Sequence, residues 1–292
     1  MTNGWTGGQY SVFRFVLGSY LAIQFAPWAW WFPSETLPAL ALALGAFDRI
    51  AALFFAAVLL LLPQLAGVHS DPSALALAFL LLAHACIPGK PYGSFAARGR
   101  ADPGGGWRMP PLILWALRIA AAIAWIGLLR PPFPELSGPA VLLLLASLDP
   151  GWIAPQRGME PATLFYDGDC GLCHRAVRFV LAEDPDGRAF RFAPLTSDAF
   201  AAALPPERRA ALPDSLVVRT PDGRVLVRTA AVREICNRLG GLWRALALAS
   251  RALPEPWLDA GYDQVARLRA SLFARPAEAC PRVPAELRRR FD

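Results

Sequence analysis

The sequence predicts an α-helical transmembrane bundle of four or five spans over residues 1–155, followed by an α/β domain over residues 160–292. Three observations carry this reading. The 292-residue chain is 55% hydrophobic, yet the residues beyond about 156 hold most of its arginines and acids. Apolar runs approaching bilayer length recur through the first half. The second half alternates short β-type runs with helical spacing and carries two cysteines separated by two residues.

A spanning helix needs about 20 apolar residues. The first candidate covers 11–32 and ends in Trp28, Trp30 and Trp31, whose indole rings suit the headgroup boundary. Further candidates cover 50–68, 72–87, 112–129 and the shorter 136–148, while 37–47 reads as an interfacial stretch. Residues 1–10 carry no positive charge, and no small-residue cleavage site follows them, so the first apolar segment is expected to stay attached. Lys90, Arg98, Arg100 and Arg108 stand against Asp102 between the third and fourth spans, which makes that loop cytoplasmic. The turn at His69 and Asp71 and the loop at Glu135 then lie outside. If the fifth segment crosses, the C-terminal domain is cytoplasmic, and this is the reading adopted, in a bacterial inner membrane. Arg14 and Arg118 lie within about two turns of their helix ends and are expected to snorkel to the headgroups. His84 and Cys86 read as a packed interfacial pair. Cys86 is the single cysteine of this half, so anchoring and docking suit it better than relaying a disulfide across the bilayer.

Residues 150–158 are rich in turn formers and read as a linker. A strand at 162–166 is broken by Asp167-Gly-Asp169. Helical spacing starts at Cys170, puts Val177, Val180 and Leu181 on one face, and stops at Asp184-Pro-Asp-Gly187. A second strand covers 190–194, and short Ala-rich helices surround Pro205-Pro206. Strands at 215–219 and 224–228 flank the turn Thr220-Pro-Asp-Gly223. Thr229 is placed to cap the next helix, which stops at Gly240-Gly241, and two amphipathic helices follow at 242–253 and 257–273. The order β-α-β-α-β-β-α is thioredoxin-like. Although the formal charge is +6, the basic residues are scattered without aromatic interleaving, which argues against a nucleic-acid partner and for anionic headgroups.

Five cysteines, one close pair with three singles, point to redox or metal chemistry at the pair rather than to a disulfide scaffold. At a helix start, free N–H groups and the helix dipole stabilise a thiolate at Cys170, and Cys173 lies one turn on. Cys170 should attack a protein or small-thiol partner and Cys173 should resolve the mixed disulfide. A protonated His174, four residues beyond Cys170, would favour the thiolate. Asp169 is a candidate helix cap, and Asp167 a proton acceptor or turn holder. No cofactor or metal is expected. Three rival readings share the pair. Cys-Gly-Leu-Cys-His matches haem c attachment, with Met159 the one methionine of this half. Zinc would need ligands beyond the single Cys236 and Cys280, and the third rival is a purely structural disulfide. Cys236 shares the helical period of Val232 and Leu239 and is expected in the core, while Cys280 reads as an ordinary reduced thiol.

The run Leu164-Phe-Tyr-Asp-Gly-Asp-Cys-Gly-Leu-Cys-His174 resembles the signature of the DCC family of thiol-disulfide oxidoreductases, D-x-x-C-x-x-C, with Asp167, Cys170 and Cys173 at its named positions. The likeness continues through Phe190-Arg-Phe-Ala-Pro-Leu195, Asp214-Ser-Leu-Val-Val218, residues 230–241 and Tyr262-Asp-Gln-Val-Ala-Arg-Leu-Arg269. It implies a thioredoxin-like fold and thiol–disulfide exchange, and the first half is more loosely similar to multi-span regions fused to some bacterial members. One departure concerns substrate contact: Asp214-Ser215, not a proline, precedes the strand facing the cysteines, with Pro213 one step earlier. The alternative function is a membrane interaction or assembly protein whose cysteine pair senses redox state or carries metal.

Overall fold

The structure, a computed structural model, describes residues 3–26, 33–69, 71–128, 137–153, 160–213, 215–273 and 281–292. It divides into two compact units, residues 1–98 with 107–149, and residues 99–106 with 150–292.

The first unit is helical: α1 (Gly7–Phe25), α2 (Pro33–Leu44), α3 (Asp48–Leu65), α4 (Pro72–Cys86), α5 (Pro111–Leu128) and α6 (Ser137–Ser147). Local chemistry sets the starts of two of them. Thr6 accepts the N–H of Gln9 ahead of α1, and Asp71 accepts those of Ser73 and Ala74 ahead of α4, where Pro72 needs no partner. Gly18 lets α1 and α2 approach closely, since a Cβ there would lie 2.5 Å from the backbone nitrogen of Ala43.

The 18-residue α3 is the one helix among the described residues that is long and apolar enough to cross a membrane. At 15 and 11 residues, α4 and α6 fall short of the roughly 20 that a bilayer requires, so length and composition do not establish the four or five predicted spans. The interfacial stretch at 37–47 belongs largely to α2, with Ala39 and Leu42 buried. Trp28, Trp30, Trp31 and Glu135 lie outside the described residues.

Arg14 does not snorkel. It is 1% exposed, 3.7 Å from the Asp48 carboxylate, against Gly45, whose positive φ and missing Cβ make room for the guanidinium. The acid at the start of α3 gives the charge an ion-pair partner, while Nε and Nη1 of Arg14 make no hydrogen bond among the described residues. Arg118 remains partly exposed and donates to the carbonyl of Ser147. His84 and Cys86 do not pair: the His84 ring is buried, with Nδ1 2.5 Å from the Tyr10 hydroxyl, while Cys86 is exposed.

The second unit holds a mixed sheet built from β1 (Ala162–Tyr166), β2 (Phe190–Pro194), β3 (Val217–Arg219) and β4 (Val225–Val227), in the order β2-β1-β3-β4. β1 pairs parallel with β2 and antiparallel with β3, which pairs antiparallel with β4. The helices are α7 (Gly171–Glu183), α8 (Asp198–Ala203), α9 (Pro206–Ala210), α10 (Arg228–Leu239), α11 (Gly241–Ala249), α12 (Glu255–Leu272) and α13 (Ala285–Arg288). Strand alternation divides the core. Leu164 and Tyr166 join Val177, Val180 and Ile235 of α7 and α10 on one face, while Phe165 joins Phe200 and Leu204 on the other. β3 and β4 are three residues each, shorter than the sequence predicts. Thr229 is not the cap. α10 starts one residue earlier, the N-cap Val227 makes no side-chain bond, and the N–H of Thr229 goes to Asp259 of α12 at 3.2 Å.

Residues 281–292 close the β2 edge. Phe192 gives its N–H to Arg290 and accepts that of Asp292, and the Arg290 guanidinium reaches Asp184 at 2.5 Å. Asp184 also accepts N–H groups from Arg188, Ala189 and Phe190, which shapes the turn into β2.

Candidate active site

β1 ends on the buried Tyr166, and the chain turns through Asp167-Gly-Asp169 into α7. Asp167 builds this turn: its carboxylate accepts the N–H of Asp169 at 2.9 Å and its carbonyl that of Cys170 at 3.2 Å. The N-cap of α7 is Cys170 itself, not Asp169, and its Sγ accepts the N–H of Cys173 at 3.3 Å. A sulfur thus occupies the place where a capping hydroxyl or carboxylate normally meets a helix. An anion there faces unpaired amides and the positive end of the helix dipole.

Both cysteines are free thiols and both are buried, Cys170 at 7% and Cys173 at 5% exposure, although attack on a partner by Cys170 requires access to its sulfur. Packing of both into the core around Leu164 and Val177 accounts for this burial. The Cys173 thiol is pushed up to about 12, first by burial, then by its hydrogen bond with Cys170 and by the charge of that neighbour. Two influences oppose these: a backbone hydrogen bond from Asp167 and the positive charge of Arg269.

His174 gives its backbone N–H to the Cys170 carbonyl and sets its ring edge-on to Tyr166, with centroids 6.0 Å apart. Asp167 reaches Arg269 of α12 at 3.7 Å. Arg269 received no role from the sequence. The available signal was its place in the segment 262–269, at the end of a helix whose partners no local pattern reveals.

A cavity of about 530 Å³ opens beside the pair, walled by Cys173, Leu172, Val232, Cys236, Tyr262 and Arg269 among others. Cys236 therefore lies on a cavity wall rather than in the core. With Val232, one turn earlier and 40% exposed, it faces away from the sheet-side residues Ala231 and Ile235. Burial pushes its thiol up to about 11, which keeps it in the unreactive form. Tyr262 also accepts the N–H of Leu216 at 3.0 Å, occupying the backbone just ahead of β3. Asp214 and Cys280 lie outside the described residues. Among the described residues, no group of three His, Cys, Asp or Glu side chains is arranged to hold a metal ion.

A four-stranded mixed sheet with two thiols at the strand-to-helix turn defines a dithiol domain. Comparison with known proteins agrees: the DCC1-like thiol-disulfide oxidoreductase model matches residues 164–275. The uncharacterized protein YuxK of Bacillus subtilis (strain 168) is 33% identical over 132 residues, which cover 44% of this chain and 91% of that relative. The chain belongs to the DCC1-like thiol-disulfide oxidoreductase family. No solved structure matches it. The matched segment contains Asp167, Cys170, Cys173, His174 and Arg269.

Proposed function

We propose that the chain is a membrane-anchored thiol–disulfide oxidoreductase, whose Cys170–Cys173 pair exchanges electrons with a protein or small-thiol partner. One observation carries the reading: Cys170 Sγ sits at the start of α7, accepting the amide of Cys173, so the nucleophile stands at a helix start with its resolving partner one turn away. In the reducing direction, the Cys170 thiolate attacks a partner disulfide. A Cys170–partner bond forms, the partner S–S bond breaks, and the first partner thiolate leaves and takes a proton. Cys173 then loses its proton and attacks Cys170 Sγ, forming the intramolecular disulfide and releasing the second partner thiol. The domain dithiol is oxidised by two electrons and the partner disulfide is reduced to two thiols. Run backwards, the same steps oxidise a partner dithiol.

The sheet order, with β3 antiparallel to its neighbours, supports a thioredoxin-like frame. Asp167 holds the turn that aims Cys170, and a protonated His174 on the first turn of α7 would add positive charge near it. The experiment is a redox titration of the full chain in glutathione buffers, with the Cys170–Cys173 disulfide measured by mass spectrometry. A single two-electron transition is expected. Thiols that stay reduced throughout would overturn the reading.

For location, the apolar helices support a bilayer partner, the scattered basic residues argue against nucleic acid, and chain connectivity supports a cytoplasmic domain in a bacterial inner membrane. Arg178 of α7 donates to the carbonyls of Arg100 and Ala101, so the basic segment 99–106 is part of the dithiol unit. Residues 107–149 leave that unit and return to it, which keeps segment 99–106 and the dithiol domain on one side of a bilayer. In intact cells, a membrane-impermeant thiol reagent is expected to leave Cys280 unlabelled until the membrane is opened. Labelling of intact cells would place the domain outside.

A further inference from the structure

Resting on the exchange reading, we infer that Arg269 is a positioning residue for the second half of the reaction: held by Asp167, it stands as counter-ion to the Cys173 thiolate that resolves the mixed disulfide. The inference starts from geometry. Arg269 comes from α12, which packs on α7, and is only 16% exposed. It lines the same cavity wall as Cys173 and lies 3.7 Å from the Asp167 carboxylate. Asp167 is the residue whose backbone also bonds Cys173, so one turn fixes both the sulfur and the cation.

The other charged or titratable groups around Cys173 fit this role less well. On α10, Arg233 is tied to Ser250 at 2.8 and 3.0 Å and lies 4.0 Å from Glu255, and Cys236 is held neutral by burial. Tyr262 of α12 is bonded to the Leu216 amide. On α7 the His174 ring packs on Tyr166, and Asp169 in the turn is an acid. Arg269 is the cation whose charge favours the Cys173 thiolate.

The timing follows from chemistry. In the resting dithiol, both the bond to Cys170 and the charge of that sulfur oppose ionisation of Cys173. Once Cys170 is covalently bound to the partner it carries no charge, and that obstacle is gone. Burial remains, and Arg269 is placed to offset it. Cys173 is thus held protonated before attack and eased toward ionisation after it.

The test uses the full-length protein in detergent and an aromatic chromogenic disulfide, followed by stopped flow. The first aryl thiolate reports attack by Cys170, and the second reports resolution by Cys173. Arg269→Met is expected to leave the first release within about twofold. It should slow the second by about tenfold at neutral pH and move that step's pH profile up by about one unit, the shift that a tenfold loss of thiolate represents. Arg269→Lys, which keeps the charge, should restore most of the second release. If Arg269 served only to hold the turn, Arg269→Met would slow both releases and leave the pH profile in place. That outcome overturns the inference, as does a lysine variant no faster than the methionine one. Failure of the wild-type protein to release either thiolate would instead overturn the exchange reading itself.

Discussion

Cys170→Ser is expected to reduce thiol–disulfide exchange to the buffer background, while Cys173→Ser is expected to leave a partner covalently trapped on Cys170. The asymmetry follows from the two environments. Cys170 Sγ meets the amide of Cys173 at the open end of α7, and a serine hydroxyl in the same place is no nucleophile toward a disulfide. Cys173 is buried and its thiol is pushed up to about 12, so it does not compete for the first attack. Its raised value also sets the pH dependence. Burial still opposes its ionisation once Cys170 is bonded to the partner, so resolution should accelerate with rising pH. Non-reducing gel analysis after incubation with a disulfide partner checks both variants. A Cys173→Ser protein that accumulates no adduct would contradict the assignment. Cys236→Ser serves as the control, and its exchange rate should stay within about twofold of wild type.

The second large effect is on stability. Arg290→Met removes one member of a buried ion pair and is expected to cost about 3–5 kcal/mol, because the Asp184 carboxylate is left buried without its cation. Burial already raises the Asp184 pKa, and Arg290 is the first influence that opposes it. Losing Arg290 should raise it further. A carboxyl whose folded pKa lies above its unfolded value takes up protons on folding, so its contribution falls as pH rises through that folded value. The variant should therefore be least stable near neutral pH and regain part of the loss on acidification. Denaturant unfolding at pH 7 and pH 5 measures this. A loss of equal size at both would show that the carboxylate is not the cause.

Much of the dithiol unit was legible because its signals are local. The apolar run 162–166, the break at Asp167-Gly-Asp169 and the helical face of Val177, Val180 and Leu181 each need only a few neighbouring residues. What escaped depends on distant partners. The cap of α10 comes from Asp259, about thirty positions on, so Thr229 looked like the cap when it was not. Arg269 meets Asp167 across some hundred residues, and neither residue type announces the other. Arg14 reads as a snorkelling arginine until Asp48 and Gly45 are brought beside it. The burial of Cys170 has the same origin, since exposure depends on what packs over a helix end.

Joining Phe192 to Phe291 has a kinetic consequence. The two positions are about a hundred residues apart, as are Asp184 and Arg290. Contacts of such sequence separation form late, after the entropy of a long loop has been overcome. During refolding, β2 should therefore pass through an interval with unpaired backbone groups along its outer side, open to strands of other molecules. Yield on refolding should fall with protein concentration, and a short peptide spanning residues 281–292, added in excess, should protect the nascent sheet.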